Sequence, residues 1–362
     1  MHGLVVEAKI GKETYDQRAE TSIEVFESLY GNSKYDIMMA FPNISDVDGL
    51  AEKIAEGEDQ LEVRWAVYRP DKDEVWSEWR TVDIIDFHVN QEVFGFNVRI
   101  KATDRLYGFK NKRPGRTWKE VTVDTVLGDI AKDYDLELDT DATSDTMNFL
   151  QCDESDYDFI QNVVIPIARE NLGDNTTCDF MFYVDKGLTL IVKTRQPSKA
   201  GPIKFSKDPT AGIPVNSVAM AVHNSPGQYF TIGKTVNFIK QPFFFRHLES
   251  PDLGLKYDSF GLAPNFKKGP GKIDSIVMNA IKKNVDVEKI VRGRMTKPEL
   301  YKRFRMAIWT MVLPKLEVGM EGEVDYLGMY CAGKYLIYAF YTRVSKAGAY
   351  TITYLERAGH KG

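Results

Sequence analysis

The turn-rich basic segment Lys110-Asn-Lys-Arg-Pro-Gly-Arg116 separates two hydrophobic periods that no single layer of structure can satisfy. Before it, Ile23-Glu-Val-Phe, Tyr35-Asp-Ile-Met-Met-Ala-Phe, Leu61-Glu-Val-Arg-Trp-Ala-Val-Tyr and Phe94-Gly-Phe-Asn-Val-Arg-Ile are short runs rich in β-branched and aromatic residues, several of them alternating polar with apolar. A short helix is expected at Val47–Ile54 with Asp46 as its N-cap, and a turn at Pro70-Asp-Lys-Asp. After it, Val123, Val126, Leu127, Ile130 and Tyr134 share one helical face behind a Thr122 cap.

The period then switches repeatedly. Leu136 and Leu138 alternate with Asp135, Glu137 and Asp139 as a strand would. In Leu150-Gln-Cys-Asp-Glu-Ser-Asp-Tyr-Asp-Phe-Ile160 a strand end meets a helix start: Ser155 with Asp158 three residues on is a capping signature, and Phe159, Ile160, Val163 and Val164 supply the apolar stripe. Pro166 is expected to end or kink that helix near Ile165. Cys178–Val184 and Leu188–Lys193 flank Asp185-Lys-Gly187 as a hairpin. A turn-rich stretch over 196–216 leads to a third unit whose β character begins near Val215. An irregular segment from Pro242 to Gly271 and a helix from Ile273 to about Ile290 interrupt it. Leu316–Tyr326, Tyr335–Val344 and Tyr350–Arg357 close the chain as strands. The expected class is α+β: two antiparallel β-barrel-like modules, residues 1–110 and 197–362, bracket a mixed α+β unit over 117–196. The second module carries an irregular and helical insertion at about 242–310.

Composition narrows the functions open to such a chain. With 362 residues, two or three cores are expected. No apolar run reaches the roughly 18 residues of a membrane helix, and Met1–Glu7 lacks the basic and apolar regions of a signal peptide, so synthesis in a cytoplasm without membrane insertion is expected. Cys152, Cys178 and Cys331 form no metal or disulfide spacing and are expected to be buried, inert thiols. The net charge of −5 conceals asymmetry: thirteen acids face five bases over residues 1–60, and ten acids lie between Asp133 and Asp158 with no Lys or Arg. Six bases and one acid lie between Arg292 and Arg305. Thr296-Lys-Pro298 looks like a helix start, and these bases are expected to form a solvated or protein-docking face rather than a nucleic-acid site.

Catalytic signatures are missing. The five histidines are far apart in no metal-binding spacing, no G-x-S-x-G elbow occurs, and the cysteines lack catalytic context. Gly269-Pro-Gly-Lys-Ile-Asp-Ser lacks the first glycine of a phosphate loop. Asp153, Glu154, Asp156 and Asp158 lack the glycine and distal Glu of a calcium loop, and acids in a first helical turn are stabilised by its dipole by about 0.3–1 kcal/mol each. No catalytic, cofactor-binding or metal-ligating residue is therefore assigned, no cofactor is expected, and the chain is read as a non-enzyme. Trp65, Trp76 and Trp79 leave a carbohydrate-binding module as one alternative, with Trp76 and Trp79 expected on opposite faces of a strand, and abundant carboxylates leave a virion-associated cell-wall hydrolase as another.

Three segments resemble a known family. Thr122–Leu136 resembles a helix ending in Ile-Ala-x-x-Tyr-x-Leu. Gln151 with Glu154-Ser-Asp156 resembles the strand–helix junction that follows it. Leu316-Glu-Val-Gly-Met, Tyr335–Ala339 and Gly348–Arg357 resemble the closing domain. The family is that of contractile-phage tail baseplate hub proteins, the late-control D proteins, together with the N-terminal module of type VI secretion VgrG spike proteins. Pro166, Asn171–Thr177 and Phe243–Gly271 depart from its pattern. The resemblance implies two tube domains and a homotrimer forming a pseudo-sixfold ring. That ring would join a hexameric tail tube to a trimeric central spike. It would contact the tape measure and other baseplate proteins and pass phage DNA without binding it specifically, in a virion tail baseplate assembled in the host cytoplasm.

Overall fold

A computed structural model of the chain describes residues 3–11, 13–17, 22–55, 60–69, 72–93, 95–171, 180–195, 202–224, 229–236, 242–250, 255–261, 272–279, 302–325, 332–345 and 348–357. The fold is mixed α+β, mostly strands.

The first module contains β1 (Gly3–Ile10), β2 (Glu13–Gln17), β3 (Ser22–Ser28), β4 (Lys34–Phe41), α1 (Ile44–Ala55), β5 (Gln60–Arg69), β6 (Lys72–Trp76), β7 (Arg80–Glu92) and β8 (Gly95–Thr103). Its sheet runs β2-β1-β5-β7-β8-β4-β3, all antiparallel, with β6 added to β5. β1 curls back to within 8 Å of β3. Alternation makes the sheet one-sided: Val6, Ala8, Ile10, Ile23, Val25, Ile37, Met39, Leu61, Val63 and Trp65 all point inward. The helix α1 starts three residues before the expected Val47, so Asp46 lies in its first turn and is not its cap.

The middle unit holds α2 (Leu106–Asn111), β9 (Arg116–Val121), α3 (Val123–Lys132), β10 (Glu137–Thr140), β11 (Met147–Gln151), α4 (Asp156–Phe159), α5 (Ile165–Asn171), β12 (Phe180–Asp185) and β13 (Thr189–Thr194). The helix from Asp156 does not end at Pro166. A π turn over Ile160–Val164 joins α4 to α5, and the Ile165 N–H reaches back to the Ile160 carbonyl. The wider turn lets a proline sit where its ring would otherwise meet the preceding turn. β12 and β13 form the expected hairpin around Lys186-Gly-Leu188, with Lys186 and Gly187 both at positive φ (52° and 77°).

The third module is a closed six-strand barrel. β14 (Ile203–Ser206), β15 (Ile213–Asn224), β20 (Lys302–Thr310), β23 (Gly348–Arg357), β22 (Gly333–Ser345) and β21 (Glu321–Val324) pair in that order, and β21 closes on β14. β14 runs parallel to both neighbours, and the remaining ladders are antiparallel. Between β15 and β20 lies a separate sheet of β16 (Tyr229–Val236), β17 (Pro242–Ser250), β18 (Leu255–Gly261) and β19 (Lys272–Asn279), ordered β18-β17-β16-β19. This corrects two expectations: Pro242–Gly261 is largely strand, and the segment from Ile273 is β19, paired in parallel with β16. The spacing of Ile273, Ile276 and Val277 fits either period, and β-branched residues with a partner strand favour the sheet. The rest of the expected helix, to Ile290, lies outside the described residues, as do Pro70, Asn171's successors to Thr177 and the expected Thr296 helix start.

The two β modules are one sheet. β3 pairs along Ile23–Ser28 with Val344–Ala339 of β22, and one hydrophobic cluster runs from Val6 to Leu355 across both. A second cluster fills the middle unit, from Leu106 to Val192. The β12–β13 hairpin belongs to both: Met181, Tyr183 and Ile191 enter the shared β core, while Phe180, Phe182, Val184, Leu190 and Val192 face the middle core.

Candidate functional site

The acidic strand–helix junction is built as a cap. Ser155 Oγ accepts the Asp158 N–H at 3.1 Å and donates to the Asp158 carboxylate at 2.7 Å. Asp156 is fully buried and accepts from Gln151 Nε2 (2.7 Å), Tyr134 OH (2.6 Å) and Arg116, which also pairs with Asp133. Burial and the Asp156 carboxylate raise the Tyr134 hydroxyl pKa, so it stays a donor. Among the described residues, no group of three or more His, Cys, Asp or Glu could hold a metal ion. Cys152 is exposed, contrary to the expected buried thiol, because it follows the last paired residue of β11; Cys178 and Cys331 lie outside the described residues.

Denser polar constellations lie within the first module and where the units meet. Arg80, at the start of β7, is buried, donates to Glu27 of β3 (2.9 Å) and lies 5.1 Å from the Trp65 ring; Tyr35 of β4 donates to the same Glu27 oxygen at 3.0 Å. Burial alone would lower the Arg80 pKa, but Glu27 outweighs it and holds it above its ordinary value. Burial, then the Glu27 charge, raises the Tyr35 hydroxyl. Lys186, in the β12–β13 turn, reaches Glu317 of the third module at 3.2 Å, and its carbonyl accepts the Thr81 N–H of β7 at 2.9 Å. A single short turn thus touches both β modules.

The loop Leu29–Ser33 makes a second junction. The Leu29 N–H donates to the Tyr338 carbonyl of β22, and the Leu29 carbonyl accepts the Phe182 N–H. Arg195 Nε donates to Tyr30 OH at 3.2 Å, and Arg195 with Arg305 of β20 flanks the buried Glu356 of β23 at 3.9 and 3.8 Å. Asp104, at the end of β8, accepts the Ser33 N–H (2.7 Å) and the Leu106 N–H that opens α2 (3.1 Å). Burial pushes its carboxyl up to about 7 despite those two donors.

The tryptophans are placed differently from the expectation. Trp65 is wholly buried. Trp76 and Trp79 do not take opposite faces, because β6 ends at Trp76; the Arg64 guanidinium lies 4.3 Å from one ring and 4.5 Å from the other, and Lys9 covers Trp79 at 3.9 Å. Of the basic segment, Arg305 lies in the Glu356 junction, and 292–301 lies outside the described residues. None of the inter-unit pairs carries a local sequence signature: Tyr341 OH donates to Glu24, 317 positions away. The apolar alternation of Ile23 and Val25 on β3 is a local trace of the ladder, whereas β22 buries consecutive residues such as Tyr335, Leu336 and Ile337.

A curled β sheet fused to a closed six-strand barrel, with an α+β unit between them in sequence, is the fold of phage tail proteins and their type VI secretion counterparts. The tail protein from Neisseria meningitidis MC58 superposes with a TM-score of 0.57 at 11% identity, covering 98% of this chain and 97% of that one. The 43 kDa tail protein of prophage MuSo2 from Shewanella oneidensis gives 0.56 at 11% identity over 97% of both chains. The E. coli c3393 protein, a component of the type VI secretion system with structural similarity to T4 bacteriophage tail proteins, gives 0.53 at 12% identity over 94% of this chain and 74% of that one. No protein-family model matches the sequence, and no curated protein matches it.

Proposed function

We propose that the chain is a structural baseplate hub of a phage tail. In this reading three copies form a pseudo-sixfold ring that joins the hexameric tail tube to the trimeric central spike. The observation that carries the reading is the β3–β22 ladder, which makes one continuous sheet of two β modules. Two such modules in each of three copies supply the six similar surfaces that a sixfold neighbour needs, while the threefold remains for a spike. The functional units are then residues 1–110, 117–196 and 197–362, and no residue does catalysis.

Tape measure and other baseplate proteins are the further partners in this reading, and the ring sits in the virion with DNA passing through its lumen. Acids on the N-terminal module, thirteen against five bases over residues 1–60, would line that lumen and keep DNA from sticking. Trp76 and Trp79 stack on Arg64, which favours a stiffened sheet surface over a sugar platform. The test is assembly of the purified chain with tube and spike proteins. A ring that bridges them supports the hub, and a chain that binds neither refutes it. Reversing lumen-facing acids to lysine should slow DNA ejection from otherwise normal particles.

A further inference from the structure

The β12–β13 hairpin does more than pair with β10 in the middle unit's sheet, because three of its side chains leave that unit. Met181, Tyr183 and Ile191 are at most 7% exposed and pack in the core shared by the two β modules. Its tip continues the same insertion. The Lys186 carbonyl accepts from Thr81 of the first module, Lys186 Nζ reaches Glu317 of the third, and a Cβ on Gly187 would stand 1.7 Å from the Thr81 carbonyl oxygen. The turn therefore fits its slot with no space for a side chain.

The geometry of the seam explains why such an insertion matters. The ladder β3–β22 is a single line of hydrogen bonds between two curved sheets, and sheets twist and coil readily about such a line. A second contact away from that line removes this freedom. The hairpin supplies it, with one side against β7 and the other against the segment that holds Glu317.

We propose that the Phe180–Thr194 hairpin is a wedge that sets the angle between the two β modules, with Gly187 and Lys186 as its positioning residues. The consequence for assembly rests on the hub reading: a closed ring of three copies tolerates one angle between modules, because an angular error repeats at each joint and the ring fails to close.

Two variants test it. Gly187→Asn keeps a residue that tolerates the positive φ of 77° but adds the Cβ that collides with Thr81; Glu317→Gln removes the charge opposite Lys186 without changing shape. Spin labels placed at Glu62 of the first module and Lys334 of the third, in a chain stripped of its native cysteines, read the angle directly. Gly187→Asn should shift or broaden the label-to-label distance distribution, and Glu317→Gln should broaden it less. Val126→Ala, in the middle core but outside the wedge, should lose similar thermal stability and leave the distribution unchanged. An unchanged distribution in a folded Gly187→Asn overturns the wedge. Assembly is read in parallel: Gly187→Asn should weaken self-association at least tenfold, and Val126→Ala should not. If the unaltered chain stays monomeric even with tube and spike proteins, the hub reading fails while the label distances still decide the wedge.

Discussion

At the scale of single residues, buried charges stand both inside units, as Asp156 and the Arg80–Glu27 pair do, and at joints between them, as Asp104 and Glu356 do. Asp104 accepts two backbone N–H groups, one from the loop before β4 and one from the start of α2, yet burial raises its carboxyl to about 7. An unfolded Asp titrates near 3.9, so between about pH 4 and pH 7 the folded chain holds a proton that the unfolded chain has lost. Stability from this group therefore falls as pH rises across that window and is level above it. In urea unfolding, the margin of the wild type over Asp104→Asn should shrink from pH 4.5 to pH 7.5; a margin independent of pH would show that Asp104 does not titrate there. Ser155→Ala should cost about 1 kcal/mol through loss of the cap. Asp156→Ala should cost about 3–5 kcal/mol, because Arg116 would remain partly buried beside an unfilled position. The cap was legible in sequence since Ser155 and Asp158 are three residues apart. Asp104 was not, since its partner Ser33 is 71 positions away.

At the scale of elements, legibility followed the range of the interactions. α3 and the β12–β13 hairpin were readable because a helical face and a positive-φ turn are written in adjacent residues. β19 was misread as helix because eight residues with apolar groups at both periods say little until a partner strand arrives. β20 was not anticipated: Met306, Ile308 and Thr310 alternate inward, but the basic residues just before them drew the reading towards a charged surface. Pro166 was expected to end or kink its helix near Ile165; the helix continues, and the π turn before it accommodates the ring. The Glu27–Arg80 pair joins β3 to β7, and its energetics can be tested by substitution. Arg80→Ala should cost about 3–5 kcal/mol by stranding the buried Glu27, whereas Arg80→Met combined with Glu27→Leu should cost far less or nothing. Chemical denaturation of the two variants checks this, and equal losses would mean that packing rather than charge governs the joint.

At the scale of the whole molecule, the order of β, α+β and β units was legible from the changes of hydrophobic period. The fusion of the two β modules into one sheet with one core was not, because β3 and β22 are more than three hundred residues apart. That fusion makes one part of the two β modules, and in the hub reading one part must meet both sixfold and threefold neighbours. The mass of the purified chain in solution, followed by electron microscopy of the same sample, tests this most directly. A particle of three chains with a ring-shaped, pseudo-sixfold projection is predicted; a strictly monomeric chain that stays monomeric in the presence of tube and spike proteins would contradict it.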